Sequence, residues 1–172
     1  MPTRYTALIQ LVAMLFAFPL AAHEYKTGDL TIDHPISRPN LPDRPMAAYM
    51  TIMNAGDAGD RLIAASSPEF DTIEIHTVKE TDGVMKMIQL DGIEVAPGEM
   101  TELVPGGFHL MLFGAKDRYE IGESFPVTLE FAQSGKVDIV VQIEKPKHGE
   151  ASHGGHGHGG HGHGGHDTGQ TN

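Results

Sequence analysis

Two histidines and two methionines carry the chemistry of this sequence. His76 is followed after ten residues by Met87, after twenty-one more by His109, and after one more by Met111. Two imidazole nitrogens and two thioether sulfurs make a soft, uncharged four-donor set. Thioethers suit Cu(I) and are poor ligands for Zn, Mg or Ca. The chain has no cysteine, which excludes disulfides, thiolate metal sites and a blue-copper electron carrier, whose metal needs a Cys sulfur. In an oxidising compartment thioethers hold copper without the disulfide hazard of thiols. A lone Met in a strand is usually packing, and a lone His is usually just hydrogen-bonded. The combination and spacing of the four point to a site.

The elements that must position these residues read as β-strands. Stretches rich in Val, Ile, Thr, Tyr and Phe recur at 30–33, 47–54, 61–66, 72–79, 84–89, 101–104, 109–113, 125–131 and 137–144, separated by Gly, Pro, Asp and Asn. No window of a dozen residues keeps a 3.6-residue apolar period free of Gly or Pro. The expectation is an all-β sandwich or barrel of about eight strands. Pro35, Pro39, Pro42 and Pro45 make the segment before Met46 an extended loop.

Asp82-Gly83 is a hairpin signal between the segments that hold His76 and Met87. A two-residue loop sets His76 across from Gln89 with Met87 on its diagonal. A four-residue loop from Glu80 to Gly83 sets His76 directly opposite Met87. Both registers put imidazole and thioether on one face. Strand alternation sends Leu110 and Leu112 one way and His109, Met111 and Phe113 the other, while Ile73 and Ile75 oppose His76. All four donors should therefore stand on the outer or rim side of the sheet, with no carboxylate beside them to act as a base. Met46, Met50, Met53 and Met85 read as packing, Met85 being the best substitute ligand, and His34 reads as structural.

The ends have their own signatures. Met1 to Arg4 is a short basic start, residues 5–22 are apolar and uncharged, and Leu-Ala-Ala precedes a polar His-Glu-Tyr-Lys. That is the plan of a secretory signal peptide cleaved after Ala22, rather than a membrane anchor. Loss of Arg4 would take the formal charge from −11 to −12, which repels nucleic acid and anionic lipid and attracts cations. No nucleic-acid partner and no stable membrane insertion after cleavage are expected. From His148 onwards the chain is mostly Gly and His, unable to build a core and so expected to be disordered. His148, His153, His156, His158, His161, His163 and His166 are expected to form a secondary metal site there, with imidazoles suited to Cu(II), Ni(II) or Zn(II) on flexible Gly spacers.

The spacing His-x10-Met-x21-His-x-Met resembles the signature of the PCuAC periplasmic copper chaperones. The likeness extends over residues 23–145 and includes His34-Pro35, Gly-Asp-Arg-Leu at 59–62, Ser-Ser-Pro at 66–68 and Pro-Gly-Gly-Phe-His-Leu-Met at 105–111. Many relatives carry Met two residues after the first motif His, where this chain has Val78. The resemblance implies a cupredoxin-like, Ig-like β-sandwich over 23–147 and Cu(I) bound by His76, Met87, His109 and Met111. It further implies a periplasmic, non-enzymatic carrier that delivers copper towards the CuA centre of cytochrome c oxidase. The acceptor would be oxidase subunit II or a Sco-type protein. The alternative is a periplasmic buffer or scavenger of Cu(II) or Zn that works mainly through the tail. The Met pair, pointless for zinc, discriminates the two. No Ser-His-Asp arrangement with a supporting motif and no Gly-rich phosphate loop suggests an enzyme.

Overall fold

Turn residues set the strand boundaries in this chain. A computed structural model describes residues 24–145; the expected signal peptide and all seven tail histidines lie outside the described residues. The strands are β1 (Glu24–Thr27), β2 (Leu30–Ser37), β3 (Met46–Asn54), β4 (Asp60–Ser66), β5 (Thr72–Thr81) and β6 (Val84–Gln89). They continue with β7 (Ile93–Val95), β8 (Met100–Leu103), β9 (His109–Phe113), β10 (Ser124–Phe131) and β11 (Gly135–Ile143). Each of the nine segments expected from sequence falls on one of these. β1 and β7 were not expected and bring the nine to eleven.

Two turns matter for the site. Asp82 and Gly83 both have positive φ (53° and 76°), the backbone of a two-residue hairpin turn whose twist matches its strands. Thr81 pairs with Val84, so the two-residue register holds and His76 faces Gln89. Pro35 does not end β2, contrary to the loop expected there. His34 takes φ 48° and the register shifts between Asp33 and Ile36. A bulge of this kind is where a strand tolerates a residue without an N–H.

Hydrogen bonding links the strands in the order β6-β5-β9-β3-β2-β11-β10-β4-β7. β3 is shared: Met46 to Ala48 pair with β9, and Met50 to Met53 pair with β8. Alternation then sorts the side chains. β9 turns Leu110 and Leu112 inward, and β3 does the same with Met46, Ala48, Met50 and Ile52. β10 and β11 meet them with Phe125, Phe131, Ile139 and Val141, giving one continuous apolar core under a cupredoxin-like all-β fold. Each of these apart from Ala48 contributes roughly 1.5–3 kcal/mol by leaving water. Leu110→Ala, directly beneath the histidines, would cost about 2–5 kcal/mol.

One polar group ties the sheet together away from the site. Asp60 is buried at the start of β4 and accepts backbone N–H bonds from Arg61, Gln133 and Ser134 at 2.7, 2.9 and 2.9 Å. It thereby fastens β4 to the turn between β10 and β11. Burial alone would raise its carboxyl pKa; hydrogen bonding from the Ser134 side chain and from these backbone groups outweighs that and holds it below 3.8.

Candidate metal site

Three adjacent strands bring the sequence-predicted donors onto one face. Across β5 and β9, His76 pairs with His109 and Glu74 pairs with Met111. Across β5 and β6, His76 pairs with Gln89 and Val78 pairs with Met87. His76 is thus the centre, with His109 beside it and the two methionines on opposite diagonals.

The imidazoles are close enough to share an ion. Their ring centroids lie 5.9 Å apart. With metal–nitrogen bonds of about 2.0 Å and a ring centre about 1.2 Å from each nitrogen, one ion bridging two imidazoles separates the centroids by roughly 5.2 Å at a tetrahedral angle and 6.4 Å when linear. The observed spacing falls between those limits. Met87 and Met111 are less close. Two strand spacings and four residues of rise set their Cα atoms about 16 Å apart on a flat sheet, before any twist. β6 is an edge strand exposed along its whole length, and a two-stranded ribbon twists and coils more readily than a sheet interior.

Exposure falls from sulfur to nitrogen. Met87 is 51% exposed and Met111 half-buried, whereas the His76 side chain is 11% exposed and His109 only 4%. His109 therefore departs from the rim position expected for it. It keeps the outer face of β9, but its Nδ1–H donates to the Gly107 carbonyl at 3.0 Å, drawing the turn before β9 against the ring. Tyr49 and His76 flank it, at ring separations of 6.4 and 5.9 Å. Burial is the main force holding the His109 pKa below its ordinary value; the Gly107 bond opposes it and the neighbouring His76 adds to it.

The tautomers follow from the hydrogen bonds. With Nδ1–H committed to Gly107, His109 carries its lone pair on Nε2. His76 is arranged the other way: its Nε2 lies 2.7 Å from Glu74 Oε2. Its Nδ1 is buried and has no hydrogen-bond partner among the described residues. A buried polar atom without a partner costs about 1–3 kcal/mol, so this nitrogen fits an atom awaiting a ligand. Glu74 also corrects the expectation that no carboxylate stands near the site. The signal was available, since residues two apart on a strand share a face.

The remaining candidates divide by burial. Met46 and Met50 are core residues, while Met53 and Met85 are exposed. Met85 pairs with Glu80, one step nearer the hairpin tip than Met87. His34 sits at the β2 bulge, 3.4 Å from Glu144. Among the described residues no three His, Asp or Glu side chains group to hold a metal. A cavity of about 150 Å³ beside Tyr49, His34 and Glu144 is lined by none of the four donors.

The profile of the LpqE-like lipoprotein family matches residues 30–143. The copper-bound PCuAC domain from PmoF2 shares 30% identity over 72% of this chain and 99% of its own, with a TM-score of 0.63. The chain belongs to the LpqE-like family, and its fold is that of a PCuAC domain. The apo PCuAC domain from PmoF1 is equally similar, at 30% identity, 72% and 100% coverage and a TM-score of 0.63. Cu(I)-DR1885 of Deinococcus radiodurans shares 25% identity over 75% of this chain and 85% of its own, with a TM-score of 0.52.

Two curated proteins are similar in sequence. Lxx21020 of Leifsonia xyli subsp. xyli, described as a lipoprotein, is 27% identical over 57% of this chain and 60% of its own length. RP573 of Rickettsia prowazekii is 29% identical over 56% and 54%. The chain thus spans less than two thirds of these relatives. PCuAC domains are a metal-binding fold, not a catalytic one, and the chain is homologous to copper-binding members.

Proposed function

We propose that this protein is a periplasmic copper chaperone that carries Cu(I) on His76, His109, Met87 and Met111 and hands it towards the CuA centre of cytochrome c oxidase. The observation that carries the reading is the imidazole pair. Two rings stand 5.9 Å apart, one with a buried and unpartnered nitrogen, and the flanking methionines share their face. The soft donor set favours Cu(I) over zinc, and similarity to a copper-bound PCuAC domain agrees with it.

Loading also draws the exposed β5–β6 hairpin inward, because Met87 and Met111 start too far apart to bind one ion on a flat sheet. The imidazoles hold the ion from the buried side. The thioethers close over it from the solvent side, where an acceptor such as oxidase subunit II or a Sco-type protein could exchange ligands. In this reading residues 1–22 export the chain, 23–147 form the copper-binding unit, and the tail histidines from His148 to His166 collect Cu(II) for later reduction.

The test is oxidase activity in cells that lack the protein and carry variants, measured across a copper series. His109→Ala should impair assembly even with the tail intact, whereas deletion of 148–172 should matter only when copper is scarce. Full rescue by His109→Ala at low copper would remove the main site from the mechanism and leave the tail as a plain buffer of Cu(II) or zinc.

A further inference from the structure

We propose that Glu74 is the positioning residue of this site, holding His76 in the tautomer that presents Nδ1 to copper and supplying the charge that neutralises Cu(I). The inference rests on the copper-carrying reading above. Its geometry is independent of that reading. Glu74 and His76 share a face of β5, and the carboxylate takes Nε2–H at 2.7 Å in a half-buried setting, with side-chain exposures of 29% and 11%. A neutral imidazole has one N–H and one lone pair, so fixing the N–H at Nε2 puts the lone pair on Nδ1. That is the nitrogen left buried without a partner. Ligating histidines generally donate their other N–H to a carboxylate or carbonyl, which sets ring orientation and raises basicity. The Gly107 carbonyl does this for His109 and Glu74 does it for His76. The two partners differ in charge.

That difference decides the electrostatics. Two neutral imidazoles and two thioethers leave Cu(I) with its full +1 charge among poorly solvated groups, a costly state in a medium of low dielectric. One carboxylate brings the Cu(I) assembly to zero and the Cu(II) assembly to +1. Negative charge next to the ion stabilises Cu(II) more than Cu(I), so Glu74 raises overall affinity and lowers the reduction potential. Both Glu74→Gln and Glu74→Ala remove the charge. Only Glu74→Ala also removes the acceptor for Nε2–H.

The experiment uses the full chain and two readouts. Nitrogen-15 NMR of the metal-free protein at pH 7.5 reports the His76 tautomer. Competition titration with one equivalent of Cu(I), followed by voltammetry, reports affinity and potential. The wild type and Glu74→Gln should show the Nε2–H form, and Glu74→Ala should show a mixture or the Nδ1–H form. Cu(I) affinity should fall about 10–100-fold in Glu74→Ala and less in Glu74→Gln. Both variants should have raised potentials, and a tenfold larger loss for Cu(II) than for Cu(I) corresponds to 59 mV. Glu74→Ala with an unchanged His76 tautomer and unchanged Cu(I) affinity would overturn the proposal. Should Glu74→Ala not fold, a Glu74→Gln potential equal to wild type would overturn it as well. Failure of the wild type to bind Cu(I) would instead sink the copper-carrying reading, while the tautomer comparison still judged the Glu74–His76 arrangement.

Discussion

Met87 separates metal binding from folding more cleanly than any other donor. It lies on the edge strand, 51% exposed. Burying a whole Met side chain contributes about 1.5–3 kcal/mol, so truncating one that is half in water should cost about 1 kcal/mol or less, with no cavity left behind. Binding should respond on another scale. Loss of a partner outside the coordination sphere already costs 10–100-fold, so loss of a ligand should cost at least about 100-fold, equivalent to about 2.8 kcal/mol. Met87→Ala should therefore lower Cu(I) affinity at least about 100-fold in competition with a chromophoric chelator, while its unfolding midpoint barely moves. Cu(II) affinity should change little, because a thioether is a poor donor to the harder ion. Met85→Ala is the control: the same face, even more exposure, one step nearer the hairpin tip. Met87→Ala at wild-type Cu(I) affinity would refute the inward movement of the hairpin. An equal loss from Met85→Ala would move the site towards the tip.

Two further outcomes follow from the same structure, and a third follows from the sequence of the tail. His109 titrates below the ordinary histidine value when folded and near 6.5 when unfolded. Its contribution is thus present above about pH 6.5 and lost as pH falls through the folded value. Urea unfolding of the metal-free protein should show stability falling by up to about 1.4 kcal/mol per pH unit across that window, and His109→Gln should flatten it. Asp60→Ala strands three partly buried backbone donors and should cost about 1–3 kcal/mol with Cu(I) affinity unchanged. The Asp60 contribution should persist above about pH 3.8 and vanish as pH falls through its lowered folded value. For the tail, acidification from about pH 7.5 to about pH 5 should empty the histidines of 148–172 before the main site, since imidazole must be neutral to ligate and thioethers do not titrate. Metal retention by the full chain and by a chain ending at residue 147 checks this, and parallel loss from both would contradict it.

What the sequence revealed depended on how local the deciding physics was. Asp82-Gly83 left two registers open, and the positive φ of both residues selects the shorter loop. Segments with β-branched runs, such as the closing strand through Ile139 and Val141, were legible because packing and propensity agree there. β1 and β7 were not. β1 is a four-residue polar segment held by pairing with β2, and the three residues of β7 are held by pairing with β4. The passage of β2 through His34-Pro35 depends on a bulge that pairing with β3 creates, which Pro alone argues against. At the site, alternation placed all four donors on one face but could not give burial. His109 is covered by the turn that its own ring hydrogen-bonds, a contact closed only by the fold. Glu74 was within reach of the same alternation, two residues before His76, but a carboxylate on a strand reads first as a solvated group, and only the fold half-buries it.

The most direct test of the account is X-ray absorption at the copper edge of a chain ending at residue 147, loaded with one equivalent of Cu(I) under reducing conditions. A four-donor shell should appear, with two nitrogen scatterers of imidazole type and two sulfur scatterers. The sulfur amplitude should fall by about half in Met87→Ala or Met111→Ala and vanish in the double variant, as expected when each thioether is a soft ligand to the same ion. A Cu(I) spectrum of the wild-type sequence without sulfur at bonding distance would contradict the central claim, because the two histidines would then be holding copper without the methionines that make the site selective.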